Sequence, residues 1–204
     1  MNKKIIIVFI VSILLIVCSV LFLIQNKKDR GFIQESCLNE TKSLVWNLKS
    51  SPIKVYIDDE IFDWCIFIIK SIKTWNNVAE NKIIDEFLYT KNNLERSFCK
   101  ENGSPRDPVI FIKQLNAEDY TINPHTKLFW DEACNIKCVE IFIPKLADRD
   151  LWDKIALHEI GHALGLAHDD FEESIMYIGG RSLRDGMDKI TEFDIELLKN
   201  EYKF

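Results

Sequence analysis

Three histidines and a glutamate between positions 158 and 168 are the residues of this chain best spaced to do chemistry together. His158 and His162 stand four apart, and on an α-helix side chains at i and i+4 lie one above the other. Both imidazoles can therefore present a ring nitrogen to one ion, with Glu159 beside the first. Gly165 stands where a chain leaving a helix often turns to positive φ, which glycine tolerates best; such a turn brings His168 back as a third ligand. Three protein ligands leave the fourth position of tetrahedral zinc for water, the mark of a catalytic rather than a closed structural site. A metal-dependent hydrolase is the first reading. A lone histidine on an apolar helix is usually a packed, hydrogen-bonded side chain, yet three of the four histidines here fall within eleven consecutive positions. Packing does not explain that concentration.

The string His158-Glu159-Ile160-Gly161-His162-Ala163-Leu164-Gly165-Leu166-Ala167-His168 resembles the H-E-x-x-H-x-x-G-x-x-H signature of the metzincin clan of zinc endopeptidases. Downstream, Ser174-Ile175-Met176-Tyr177 resembles the clan's Met-turn, whose methionine forms an apolar floor under the zinc. Without the motif, Met176 would read as adaptable core filler. The Met-turn is similar to the matrixin version, whereas Asp169, directly after the third histidine, is the residue seen in adamalysins. The resemblance implies one catalytic zinc held by His158, His162 and His168, with Glu159 as general base, Met176 as a structural residue and a protein or peptide as substrate. It also implies a twisted, mostly parallel sheet, an active-site helix and a small C-terminal subdomain below a cleft. In such folds the substrate lies extended along an edge strand, which here would fall between Lys127 and Ile143.

Other features qualify the resemblance. Matrixins carry a structural zinc bound by three histidines and an acid, but His125 alone is left over for one, so a second zinc is not expected. His125 reads as a surface residue in a polar loop. Tyr177 follows the methionine directly, whereas the astacin-type tyrosine ligand lies two positions after it; Tyr177 is assigned to packing or the pocket wall. The stretch after the apolar N-terminus is too short for a folded prodomain carrying a cysteine switch. The rival function class is a non-catalytic binding or adhesion module on the same scaffold, and an intact Glu159 weighs against it.

Periodicity by itself indicates an α/β or α+β fold. Ile53-Lys54-Val55-Tyr56-Ile57 alternates as a half-buried strand should. Ile61, Cys65, Ile68, Ile72, Trp75 and Ala79 then recur at helical spacing, predicting an amphipathic helix over 60–80. Further strands are expected at 109–113, 127–130 and 139–143. The helix carrying the first two ligands should begin near Asp150, with Asp153 adding a second acid to the positive end of its dipole. Leu151, Ile155, His158 and His162 share one stripe of it, and Leu157, Ile160 and Leu164 form another, so it should be buried on both sides. Thr191-Glu192-Phe193-Asp194 reads as the capped start of a last helix, with Ile190 and Ile195 at the positions of a hydrophobic staple.

With 204 residues, 47% of them apolar, the chain supports one sizeable domain and a small appendage. A net charge of −6 argues against a nucleic-acid partner. Ile5 to Ile24 is an apolar run whose helical length, about 30 Å, matches a bilayer's hydrocarbon core. No A-x-A-like site follows, so residues 1–24 read as an uncleaved membrane anchor, with a cleaved signal of a secreted enzyme as the alternative. Residues 25–49 read as a stalk and 50–204 as the catalytic domain. Five cysteines beyond Cys18, at 37, 65, 99, 134 and 138, are more typical of an oxidising compartment and favour a catalytic domain outside the cytoplasm. Cys65 reads as a buried free thiol; the other four allow three pairings, which the sequence leaves open. Asn39 and Asn102 fit glycosylation sequons, a common pattern.

Overall fold

The computed structural model describes residues 44–47, 52–80, 82–91, 99, 107–115, 124–144, 151–177 and 189–202. The chain divides between Glu40 and Thr41 into two units, and every described residue belongs to the second. The apolar run Ile5 to Ile24, Cys37 and both sequons lie outside the described residues. Among the described residues, no helix is long and apolar enough to cross a membrane.

The sheet is built around β2 (Ile53–Asp58), where Ile53, Val55 and Ile57 are buried on the side that the alternation assigns to the core. Strand β4 (Val109–Gln114) pairs parallel with it from Lys54↔Val109 to Ile57↔Ile112. Strand β6 (Asn135–Ile143) extends the sheet beyond β4, and β3 (Ile84–Lys91) flanks β2 on the other side, both parallel. The short β1 (Val45–Trp46) pairs parallel with Asn135 and Ile136 of β6. Among the described strands only β5 (His125–Trp130) runs antiparallel, against β6. The order is β1-β6-β4-β2-β3, with β5 attached to β6, so the fold is α/β with a mostly parallel sheet. The β5–β6 hairpin is fastened by Asp131, whose Oδ1 accepts from the backbone N–H groups of Ala133 and Asn135 at 3.0 and 2.9 Å.

Parallel neighbours need crossovers, and a helix supplies one between β2 and β3. The single helix expected over 60–80 is in fact two pieces: a 3₁₀ segment, Asp59–Trp64, bent at Ile61 (φ −117°, ψ 26°), and α1 (Cys65–Val78). Helical spacing cannot separate the two, because the apolar positions of a 3₁₀ turn and an α turn nearly coincide over so short a stretch. Helix α2 (Trp152–Ala163) packs against α1, and α3 (Glu192–Tyr202) closes the chain.

Two further expectations need correction. Val45 and Trp46, placed in the stalk by their polar surroundings, belong to the sheet; a strand of two residues has no visible period. Strand β3 was not foreseen, since Ile84-Asp85-Glu86-Phe87-Leu88-Tyr89 mixes acids and apolar residues without alternation, as an edge strand exposed along one side can.

One continuous core lies between the sheet and the helices. Ile57, Ile112, Ile141 and Ile143 meet Ile68, Ile72 and Trp75 of α1 and Ile155, Leu157 and Ile160 of α2, and Ile175, Met176 and Leu198 join the same core. The C-terminal stretch therefore docks on the main core. Trp152, at the start of α2, stacks on Trp64 with ring centroids 4.4 Å apart and meets Phe67 edge-on at 5.3 Å. On the other face of the sheet a smaller cluster joins Cys99, Val109, Phe111 and Cys138. Cys99 and Cys138 form a disulfide, and Cys134 is also disulfide-bonded. Cys65 is a free thiol as expected, but half-buried rather than buried.

Candidate metal centre

Helix α2 is buried on both of its stripes, from Ile155 through Gly161, and this holds its two histidines rigidly. Trp75 of α1 donates its indole N–H to the Leu157 carbonyl at 2.9 Å, fixing the helix one residue before the first histidine. Gly161, between the two, is a space requirement: a Cβ there would meet Met176 Sδ at 2.5 Å and the Trp75 ring at 3.0 Å. The Met-turn thus reaches under α2 because position 161 has no side chain.

The helix ends where the motif predicts. Gly165 has φ +92°, and a Cβ there would also collide with the Leu44 carbonyl oxygen, so the turn requires glycine on two counts. The carbonyls left open at this helix end find donors far away in the chain. Trp46 Nε1 donates to the Ala163 carbonyl at 2.7 Å, and the Tyr202 hydroxyl donates to the Leu164 carbonyl at 2.8 Å. Strand β1 and the end of α3 therefore clamp the turn that returns the chain to His168.

His158, His162 and His168 are brought together, with one ring nitrogen of each inside a group spanning less than 4.8 Å. Nδ1 of His158 lies 2.6 Å from the Ile175 carbonyl and Nδ1 of His162 lies 2.8 Å from the Leu166 carbonyl. A carbonyl only accepts, so in each ring Nδ1 carries the proton and Nε2 keeps its lone pair for a metal. The Nε2 atom of His168 stands 3.1 Å from that of His162 and 3.3 Å from that of His158. Tetrahedral zinc with bonds of 2.0–2.1 Å needs nitrogens about 3.3 Å apart, so the three residues fit the ion. Burial favours the neutral, ligating form of the His158 and His162 imidazoles. His158 is lowered from its ordinary value, and His162 is brought down to about 3, chiefly by burial and further by His158.

Glu159 is buried beside this group. Burial pushes its carboxyl up to about 7, against a hydrogen bond from Thr126 that pulls the other way. The Thr126 hydroxyl donates to Oε2 of Glu159 at 2.6 Å.

A family model for the matrixins matches residues 67–203, two thirds of the chain, including the three histidines, Glu159 and Thr126. The chain belongs to the matrixin family. It is accordingly a zinc metalloprotease. Among solved structures, archaemetzincin from Methanopyrus kandleri shares the fold at a TM-score of 0.51 and 13% identity, over 76% of this chain and 98% of that one. High choriolytic enzyme 1, a hatching enzyme zinc-protease from the medaka fish Oryzias latipes, aligns at a TM-score of 0.46 and 12% identity, over 78% of this chain and 94% of that one. No curated protein matches.

The remaining residues of this matrixin can now be placed. Met176 is fully buried, with its sulfur against Gly161 of α2. The N–H of Asp169 donates to the Met176 carbonyl at 3.1 Å, and Asp169 forms a bridge with Tyr177, joining the segment after the third histidine to the Met-turn. Tyr177 is half-buried. His125 is not a loop residue on the surface: it lies on β5, half-buried, stacked on Phe142 at 4.8 Å.

Sequence reasoning missed Asp194 as part of this framework. Its carboxylate is fully buried and accepts from the N–H and hydroxyl of Thr191, both at 2.7 Å, and from the N–H of Ile175 at 3.3 Å. The Ser174 hydroxyl lies within hydrogen-bond distance of both Asp194, at 2.6 Å, and Asp169, at 2.5 Å, and accepts from the Met176 N–H at 2.9 Å. The helix start legible in Thr191-Glu192-Phe193-Asp194 is therefore also the anchor of the Met-turn. The spacing signalled the cap; nothing in it signalled the second partner.

Proposed function

We propose that this matrixin is a membrane-anchored endopeptidase acting on proteins outside the cytoplasm, with His158, His162 and His168 as ligands of one catalytic zinc and Glu159 as general base. The observation that carries the reading is the convergence of three imidazole nitrogens beside a buried carboxylate. When bound, zinc supplies a Lewis acid that lowers the pKa of a water and polarises the scissile carbonyl. Glu159 takes the proton of the attacking water and delivers it to the leaving amine. Met176 supports the ligands from below. Strand β5 pairs with β6 alone among the described strands, so its outer edge can receive an extended substrate by backbone hydrogen bonding. The anchor is supported by the apolar run Ile5 to Ile24, and the oxidising side of the membrane by the Cys99–Cys138 disulfide.

Two experiments test this. Glu159→Ala should retain about one zinc per chain and lose nearly all chelator-sensitive hydrolysis, since it removes the base without removing a ligand. Substantial turnover by that variant would assign the base to another group. The full-length protein should stay in the membrane fraction after alkaline washing, and its catalytic unit should be digested by protease added from the extracytoplasmic side. Soluble protein beginning near residue 25 would identify a secreted enzyme, and a protected catalytic unit would overturn the location.

A further inference from the structure

Strand β5 alternates in what its residues touch. His125 stacks on Phe142 and Lys127 Nζ lies over the same ring at 4.8 Å, both on the sheet face away from the helices. The two-residue period of a strand then turns Thr126 and Leu128 towards α2. Leu128 packs on the main core, and Thr126, the residue between the two that face away, meets Glu159. Its hydroxyl donates to Oε2 at 2.6 Å and lies 3.3 Å from the Glu159 backbone carbonyl, so side chain and backbone of the same residue are gripped from one atom.

A glutamate on a helix has three side-chain torsions, and a buried carboxylate without a fixed donor settles in whichever rotamer best relieves its desolvation. Thr126 supplies that donor from outside the helix, on the strand whose outer edge is unpaired among the described strands. It occupies one carboxylate oxygen and leaves the other for a reacting group. The threonine methyl and β-branch restrict χ1, so the hydroxyl is itself held in place.

We infer that Thr126 is a positioning residue for the reaction: from the edge strand it fixes the orientation of the Glu159 carboxylate, so that the strand expected to carry the substrate also sets the base. This rests on the proposed role of Glu159 as general base. Thr126 touches no reacting atom in this account and acts through Glu159 alone. A purely structural role, satisfying a buried carboxylate, would alter stability and leave turnover by the folded, zinc-loaded enzyme as it is.

The test uses the full-length chain in detergent micelles, loaded with zinc, and fluorescein-labelled casein as the probe. Wild type, Thr126→Val and Thr126→Ser are compared for zinc content, kcat and KM. Thr126→Val keeps the shape and removes the donor; it should hold one zinc and an unchanged KM while kcat falls about ten- to hundredfold, the scale expected when a catalytic group is displaced by about 1 Å. Thr126→Ser restores the hydroxyl and should recover most of kcat. If the valine variant misfolds, the serine variant against Thr126→Ala carries the same comparison. A kcat within twofold of wild type for a zinc-loaded Thr126→Val overturns the inference, as does a loss that serine does not rescue. An active wild type with a fully active Glu159→Ala would instead overturn the proposed base, and wild type without chelator-sensitive hydrolysis would overturn the proposed activity.

Discussion

The two faces of the sheet are held by different physics. On the helix side, Val55, Ile57, Ile110, Ile112, Val139 and Ile141 pack hydrocarbon against α1 and α2, and the polar groups of the site stand among them with partners from backbone carbonyls or hydroxyls. On the other side the apolar cluster is small and is reinforced by the Cys99–Cys138 bond. There Lys113 donates to Glu140 at 2.8 Å with both side chains buried. Strand alternation separates the two sets: Cys138 and Glu140 of β6 point one way, Val139 and Ile141 the other. The difference teaches that hydrocarbon burial carries the face covered by α1 and α2, while on the other face, among the described residues, a covalent and an ionic tie add to a small apolar cluster. Damage to the helix side should therefore reach the chemistry, and damage to the other side should reach stability alone.

The largest expected effect is on the helix side. His162→Ala removes one of three ligands, so zinc content should fall to a small fraction of one per chain and casein hydrolysis by roughly three orders of magnitude or more. Metal analysis and turnover on the same preparation check this, and a variant that keeps both zinc and activity would remove His162 from the site.

On the opposite face, Lys113→Met removes the cation 2.8 Å from the buried Glu140 carboxylate and should cost about 3–5 kcal/mol in urea unfolding. Lys113→Met with Glu140→Leu should recover most of that loss, and kcat/KM of the zinc-loaded, folded fraction should stay at the wild-type value. A fall in kcat/KM beyond the unfolded fraction would break the comparison, because it would show the two faces to be coupled.

Replacing Cys99 and Cys138 together by serine should cost about 2–4 kcal/mol, mostly by loosening the unfolded-state constraint across their 39-residue separation. Zinc content should be unchanged. Loss of zinc in the variant would mean that the bond shapes the site as well as the outer face.

The smallest effect is a pH dependence confined to the helix side, read on metal-free protein. His162 sits at about 3 when folded against an ordinary 6.5, so the unfolded chain binds the extra proton and stability falls as pH drops below about 6.5, by up to about 1.4 kcal/mol per unit. His158 acts in the same direction. Glu159 has the opposite sign: raised from 4.5 to about 7, it binds its proton more readily when folded, and stability rises as pH falls through that window. Metal-free wild type should therefore lose stability only gently between pH 6.5 and 5, because Glu159 offsets His162 and leaves His158 uncompensated. Glu159→Gln, lacking the offset, should lose stability more steeply over the same range.

Much of the site was legible from position alone. The i, i+4 pair His158 and His162, the positive φ of Gly165 and the return of His168 follow from helix geometry and from glycine's freedom, both of which act within one or two turns of chain. The alternation of β2 and the capped start of α3 are local in the same sense. What stayed hidden was short or doubly used: β1 has two residues, β3 lacks a period, and Asp194 serves both its own helix start and the Met-turn. The anchor, the stalk before Leu44 and the sequons fall outside the described residues and stand as readings of composition.

The sequence by itself determined which side chains can meet a metal, because their spacing converts directly into direction on a helix and its terminal turn. Only the tertiary structure decided what holds them there. Thr126 reaches Glu159 across 33 positions, Ser174 meets Asp194 across 20, and Trp46 closes the end of the metal-site helix across 117. Each is a single hydrogen bond between residues of ordinary type, and no local period records a partner that the chain meets only after the sheet has brought its distant strands together.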